Sequence, residues 1–409
     1  MVKSGTVGKR AGAGRRMGVA ICNRLQRSPD RPEFPKESEC LLAPGRGLGE
    51  TAGRRMPTVD LATLGWNASF AEAFEPHRVA GLAPARVATE DKNFYTVVGE
   101  NGDSIAVITG RLHLKKGNKT KLPKVGDWVA VTQPAPGEQM LIHAVLPRQT
   151  TLSRKLPGRE AEEQVIATNL DVVFVVQALD STFNLRRLER FLVMVHEGGA
   201  KPVVLLNKID LCEEAEKEVA AVQAAIGPTA VIPVCAKTGK GTGKMREYCV
   251  KGATVAFIGT SGVGKSSLIN RLLGEATQAT LEVRREDSKG RHTTTWRELI
   301  PLPSGGLVVD TPGMREFHMW VAGDGLEGAF QDIVQFADQC RFRDCMHQKE
   351  PDCAVRAALA EGKITEGRYE SFSKLQRELG RVKEERKQHA YFVNKRRSTL
   401  GTKAWLRND

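Results

Sequence analysis

No apolar run in this 409-residue chain approaches the ~18 residues that a membrane-spanning helix needs, so nothing in it reads as a membrane segment. A secretory signal is missing too, because the start is Gly/Arg-rich and lacks an apolar core of sufficient length. Cysteine is sparse: of eight, at positions 22, 40, 212, 235, 249, 340, 345 and 353, only the last three cluster. This excludes a disulfide framework and predicts a reducing, cytoplasmic setting, in which tight Cys/His spacing favours metal. Aromatics are only 6%, but hydrophobic residues reach 41% and charged residues 27%, which argues against a wholly disordered or collagen-like chain. At roughly 150 residues per domain, the length predicts two or three domains.

Acidic side chains are absent before Asp30, and the net charge of +13 (61 − 48) sits at the ends. Residues 1–56 carry 12 Lys/Arg against 5 Asp/Glu, residues 361–409 carry 13 against 7, and the body between them balances at 36 against 36. A neutral body with two cationic ends points to a polyphosphate partner, with solubilising tails as the alternative. Residues 1–56 show no sustained hydrophobic period and read as a basic disordered extension. They weakly resemble an organelle transit peptide, and Met56 is an alternative start.

A lead-in segment spans 57–83. Short β-type runs follow at 85–88, 94–98, 104–108, 127–131 and 140–145, separated by turn signals such as Gly102-Asp103. Five strands over residues 84–153 predict a small OB-like barrel, which either binds nucleic acid or serves as a spacer. Beyond 160 the pattern alternates strands and helices, at 171–177, 185–197, 202–206, 215–225, 230–234, 254–258, 266–273 and 306–309. Continuous apolar strands such as Val203-Val204-Leu205-Leu206 imply a mainly parallel sheet with helices on both faces.

Gly259-Thr260-Ser261-Gly262-Val263-Gly264-Lys265-Ser266 matches G-x-x-x-x-G-K-[ST] between an apolar strand and a helix, and Ser267 follows. Glycines let successive N–H groups face phosphate oxygens, Lys265 adds a point charge, and Ser266 offers an oxygen to Mg²⁺. Asn207-Lys208-Ile209-Asp210 ends another strand, where Asp210 can accept from the N1–H and exocyclic amine of guanine. Adenine would leave that carboxylate unpaired. Cys235-Ala236-Lys237 fits the base-stabilising [SC]-A-K element, and Asp310-Thr311-Pro312-Gly313 is expected to hold a water of the Mg²⁺ shell at Asp310 and to sense the γ-phosphate at Gly313. Within Gly290-Arg291-His292-Thr293-Thr294-Thr295, Thr294 is the expected Mg²⁺ ligand, with Thr293 its nearest rival.

The motif order is unusual, because N-K-x-D and [SC]-A-K precede the phosphate loop. A circular permutation keeps the site if the old termini lie close, and Asp210 and Lys265 must then converge on one GTP molecule. Met314 stands where many GTPases carry a water-orienting glutamine, so His292 is the candidate catalytic residue, with an RNA-contacting or solvent role as its alternative. Slow intrinsic hydrolysis, accelerated by a partner, is expected.

Cys340-x₄-Cys345-x-His347-x₅-Cys353 offers three thiolates and one imidazole, a closed Cys₃His set for one structural zinc ion. The tail combines a polar helical stretch at 373–388 with Lys395-Arg396-Arg397 and the rings of Tyr391, Phe392 and Trp405, which suits RNA. A solvated helix is the alternative. The division expected is therefore extension 1–56, lead-in 57–83, OB-fold 84–153, circularly permuted GTPase domain 154–319, and helical zinc-binding domain with basic tail 320–409.

Together these residues resemble the ribosome small subunit-dependent GTPase A family (RsgA, also called YjeQ), over about residues 57–397. Further likenesses are Leu64-Gly65-Trp66, Val125-Gly126-Asp127-Trp128-Val129 and Phe183-Asn184-Leu185-Arg186-Arg187-Leu188-Glu189-Arg190. The resemblance implies GTP hydrolysis to GDP stimulated by the small ribosomal subunit, binding to its rRNA, and assistance in late maturation, by a monomer without membrane attachment. A nucleotide-gated RNA-binding scaffold with incidental hydrolysis is the alternative that Met314 keeps open. The basic extension and Cys235, where serine is more usual, depart from the family pattern.

Overall fold

The computed structural model describes residues 59–91, 94–113, 119–132, 139–155, 163–274, 297–310 and 325–405. The expected 1–56 extension lies outside the described residues.

Asp60 caps a 3-10 turn (Leu61–Leu64) by accepting from the Ala62 amide. Gly65 follows at φ +83°, and a Cβ there would stand 2.8 Å from the Gly252 carbonyl, so the lead-in reaches the later sheet only through glycine. Asn67 caps helix α1 (Ala68–Val79), which buries Phe70 and Phe74 beside Trp66 and the fully buried Trp128.

Strands β1 (Ala83–Glu90), β2 (Tyr95–Gly99), β3 (Gly102–Ile108), β4 (Trp128–Val131) and β5 (Met140–Val145) form a barrel in the order β1-β2-β3-β5-β4, closed by pairing of β4 with β1. All five sit where alternation and turn residues predict strands. Its interior holds Val87, Val97, Ala106, Val129, Val131 and Ile142, and helix α2 (Gly110–His113) lies between β3 and β4 in the chain. This is the five-stranded OB-like barrel.

A hairpin, β6 (Thr151–Lys155) and β7 (Glu163–Thr168), leads into the α/β region. There β8 (Val172–Ala178), α3 (Leu185–Glu197), β9 (Lys201–Asn207), α4 (Ala215–Ile226), β10 (Val231–Pro233), α5 (Thr242–Arg246), β11 (Thr254–Ile258), α6 (residues 265–274), β12 (Glu298–Pro301) and β13 (Leu307–Asp310) follow. The sheet runs β10-β9-β8-β11-β13-β12, parallel except for β12. Its strands bury both faces: Val173, Val175, Val204 and Ile258 share a core with α3 and α4, while Phe174, Val203, Leu205 and Phe257 share one with α5 and α6. One pairing, Thr89 with Glu298, joins this sheet to the barrel.

After β13 come α7 (Gly325–Ala329), α8 (Gln331–Ala337), α9 (Ala354–Ala360) and the forty-residue α10 (Glu366–Trp405). A Cβ at Gly325 would stand 2.2 Å from the Val193 carbonyl, so α7 seats on α3 through backbone contact. Arg368 of α10 donates to Glu189 of α3 at 3.0 Å and to both oxygens of Asp332, and lies 3.9 Å over the Phe330 ring. Arg190 and Glu378 add a second α3–α10 pair at 2.6 Å. No described helix is long and apolar enough to cross a membrane.

The helix expected at 373–388 is thus a fraction of α10, whose polar surface and Gly380 give no sustained period to read. Helices α1 and α5, strand β12 and the β6–β7 hairpin had no sequence expectation, being short or lacking clear patterning.

Candidate functional site

Residues Asn207, Lys208, Asp210, Ala236, Lys237, Asp310 and the 259–267 loop all follow or end strands at the carboxyl edge of the parallel sheet. Open α/β sheets bind ligands at this edge. Asn207, only 2% exposed at the end of β9, connects three of these segments. Its Nδ2 donates to the Val263 carbonyl at 2.8 Å, and its Oδ1 accepts from the Ala236 amide at 3.0 Å. The two bonds fix each other's sense, since flipping the amide would oppose donor to donor and acceptor to acceptor. Segments encoded at 207–210, 235–237 and 259–267 therefore meet, whatever their order in the chain.

Gly259, Gly262 and Gly264 of the phosphate loop take φ +148°, +82° and +98°. A Cβ at 259 would stand 2.3 Å from the Val176 carbonyl, and one at 264 would stand 2.2 Å from Asn207 Nδ2. Glycine is needed at both because neighbouring backbone and the Asn207 tie occupy that space. Helix α6 begins at Lys265, so its unpaired first-turn amides share the loop with the lysine. Lys265 Nζ donates to the Gly259 and Thr260 carbonyls at 2.9 and 2.8 Å. Burial lowers its affinity for the proton, and the nearby Asp310 carboxylate opposes that shift. Ser266 and Ser267 are exposed on the first turn of α6, Thr260 is half-buried, and Ser261 and Gly262 are exposed.

Asp210 sits exposed in a 3-10 turn (Ile209–Leu211), able to meet a base from solvent. The Cys235 thiol donates to its Oδ1 at 3.1 Å. That bond, assisted by Lys237 and Lys208, holds the carboxyl below its ordinary range. Lys208 adopts φ +63°, and its ammonium pairs with Asp180 at 2.9 Å just beyond β8. The Thr182 hydroxyl, Lys208 and the Thr182 amide draw the Asp180 carboxyl down to about 2.

Three side-chain contacts at the site were not specified by the motifs, two of them made by residues outside any motif. Cys235 acts as a thiol donor, Asp180 holds Lys208, and Arg271 of α6 donates to the Ala236 and Lys237 carbonyls. Cys235 lies in the [SC]-A-K element, and Asp180 carried a local signal of its own, an acid with Thr182 two residues on at the end of an apolar strand. His292, Thr293, Thr294, Gly313 and Met314 lie outside the described residues.

On the C-terminal side, the ligand atoms of Cys340, Cys345, His347 and Cys353 lie within 4.8 Å of one another. His347 Nδ1 is 3.5 Å from Sγ of both Cys340 and Cys353, and those two sulfurs are 3.9 Å apart. A tetrahedral ion with metal–sulfur bonds of about 2.3 Å and metal–nitrogen bonds of about 2.0 Å has edges of about 3.8 and 3.5 Å, so the donor set fits. His347 reaches it with φ +60°, and its carbonyl accepts from the Tyr369 hydroxyl at 2.6 Å, pinning the loop to α10. Glu350 accepts from the amides of Gln348, Lys349 and Met346. Its own amide and those three hold its carboxyl down to about 2.

A family model described as RsgA GTPase matches residues 145–320, and one described as 50S ribosome-binding GTPase matches residues 254–393. The chain is 45% identical over 327 residues to the Small ribosomal subunit biogenesis GTPase RsgA of Opitutus terrae, covering 78% of this chain and 89% of that protein. It is 42% identical over 329 residues to the protein of the same name from Syntrophotalea carbinolica, covering 78% and 90%. Among solved structures, YjeQ from Thermotoga maritima is similar with a TM-score of 0.56 and 29% identity, covering 73% of this chain and 98% of that one. YloQ, described as a circularly permuted GTPase, is similar with a TM-score of 0.53 and 27% identity, covering 73% and 95%.

Proposed function

The chain belongs to the RsgA family of circularly permuted GTPases and is a GTP hydrolase, and from that premise we propose that it acts in biogenesis of the small ribosomal subunit. In this reading it binds the subunit's rRNA, turns over GTP faster when bound to that particle, and works as a cytoplasmic monomer. The observation that supports its nucleotide part is the Asn207 side chain, whose two hydrogen bonds join the segments at 207–210, 235–237 and 259–264.

Each residue has a part in that pocket. Asp210 accepts from N1–H and the exocyclic amine of guanine, while the loop at Ala236 and Lys237 faces its 6-oxygen. Backbone amides of Gly259, Thr260, Ser261, Gly262, Val263 and Gly264, with the Lys265 ammonium, hold the β- and γ-phosphates. To do so, Lys265 exchanges its bonds to the Gly259 and Thr260 carbonyls for phosphate oxygens. Ser266 and Thr294 would hold Mg²⁺ with help from Asp310, Ser267 would lie beside the phosphates, and Gly313 would sense the γ-phosphate. Mg²⁺ supplies charge neutralisation on the transferring group. His292 orients the attacking water in place of the glutamine that Met314 replaces.

Cys340, Cys345, His347 and Cys353 would hold one zinc ion; four protein ligands would leave no open position, so its role would be structural. We read the parts as extension 1–56, lead-in 57–83, OB-fold 84–153, GTPase domain 154–319 and zinc domain 320–409.

Turnover of GTP and ATP, measured side by side with and without purified small subunits, tests the proposal. Stimulation with GTP alone is expected. Unstimulated GTP turnover favours the nucleotide-gated scaffold, and equal turnover of ATP overturns the reading of Asp210.

A further inference from the structure

Arg271 makes a contact that no nucleotide motif encodes. It lies on α6, the helix that opens with Lys265, yet its side chain reaches the loop at the end of β10. Nε donates to the Ala236 carbonyl at 2.9 Å, and Nη2 donates to the Lys237 carbonyl at 2.5 Å. The guanidinium fork thus takes two successive carbonyls, while Asn207 takes the Ala236 amide. Gly239 closes the same turn at φ +83°, with Arg271 Nη1 3.8 Å from where a Cβ would stand. The loop is tight in itself, with the Cys235 amide bonded to Lys240 and the Gly239 amide to Cys235. The far end of the arrangement is fixed too, because Arg246 donates to the Arg271 carbonyl at 2.7 Å.

We infer that Arg271 is a positioning residue for base recognition: it ties the 235–239 loop to the phosphate-binding helix, setting how far the loop's N–H groups stand from the phosphates. The inference rests on the reading of this pocket as a guanine nucleotide site. A nucleotide is a ruler of fixed length, so a base-reading loop is useful only when its distance from the phosphate cradle is held before binding; otherwise ordering the loop subtracts from affinity. Arginine suits this because its planar fork matches two carbonyls at once, whereas a lysine ammonium on the same helix can serve one of them well. Arg271 is exposed, so its contribution is moderate and its replacement leaves the sheet core untouched.

The test uses the whole protein and equilibrium binding of GDP, IDP and 2-aminopurine riboside diphosphate to the wild type, Arg271→Gln and Arg271→Lys. GDP and IDP carry the 6-oxygen that the loop would meet; the 2-aminopurine nucleotide lacks it, and with it the N1–H, but keeps the 2-amine for Asp210. Arg271→Gln is expected to weaken GDP and IDP by about tenfold and the 2-aminopurine nucleotide by less than about twofold, with Arg271→Lys intermediate. GDP binding by both variants equal to the wild type overturns the inference. So does an equal loss for all three nucleotides, which would make Arg271 a general structural contact. A wild-type protein that binds the three nucleotides without preference overturns the guanine reading itself, a result distinct from either.

Discussion

Asn207 and its partners stand at the ends of strands buried nearly from end to end, whereas Cys340, Cys345, His347 and Cys353 stand on a stretch, 340–353, that holds neither helix nor strand. The first region is shaped by a two-faced sheet core before any ligand arrives. The second has four ligand atoms, the Tyr369 bond and the Glu350 carboxylate to hold its turns. The proposed difference is one of what supplies the ordering energy: apolar burial in one case, coordination of a metal by the Cys₃His set in the other. Removing a ligand should therefore have opposite consequences in the two places.

The largest expected effect follows on the metal side. Structural zinc contributes on the order of 10 kcal/mol of binding free energy in small modules, so Cys353→Ser should release one equivalent of metal and abolish hydrogen-exchange protection over 340–360. GDP affinity should change less than about threefold, because the two sets of residues stand on different elements. Mass spectrometry under native conditions and exchange measurements check both halves. Loss of GDP binding together with the metal would break the comparison.

A smaller effect is expected on the nucleotide side. Asn207→Ala leaves the Val263 carbonyl and the Ala236 amide without their buried partner, at about 1–3 kcal/mol each, so GDP affinity should fall about a hundredfold. The thermal midpoint should drop by only about 2–5 °C, since the strands beneath keep their apolar contacts. Calorimetric titration and a melting curve separate the two quantities.

The smallest effect concerns pH. The Asp180 carboxyl is lowered from 3.8 to about 2 by the Thr182 hydroxyl and Lys208, so its contribution is present above pH 3.8 and lost as pH falls towards 2. Asp180→Asn should therefore be less stable than the wild type at pH 6 by under about 1 kcal/mol, screened as the pair is by solvent, and the two should converge near pH 2. Denaturant titrations at several pH values measure the gap. A gap that widens on acidification would contradict the assignment of the pair.

The same contrast explains what could be read in the sequence. The five barrel strands and the alternation from 171 to 309 were legible because each depends on a local pattern, either period two or a continuous apolar run. The nucleotide motifs and the Cys/His spacing were legible because those chemistries constrain neighbours in the chain. Strand β12 was not, since Glu298–Pro301 is four residues with a terminal proline that draws its identity from pairing with β13. Arg271 was equally silent, and the [SC]-A-K match named Cys235 without its thiol bond to Asp210. Their partners lie 35 and 25 positions away, and nothing in the local sequence distinguishes an arginine that grips a loop from one that faces water. Asn207 was expected as a nucleotide contact; the structure shows it spending both ends of its amide on protein partners.

In the proposed site the Asp210 carboxylate and the Lys265 ammonium, encoded in permuted order, act on one guanine nucleotide. Binding of GDP and XDP to the wild type and to Asp210→Asn tests it most directly, because xanthine replaces the 2-amine of guanine with an oxygen that an amide can donate to. Asp210→Asn is expected to lose about a hundredfold in GDP affinity and to gain XDP binding in its place. Undiminished GDP binding by Asp210→Asn would contradict it.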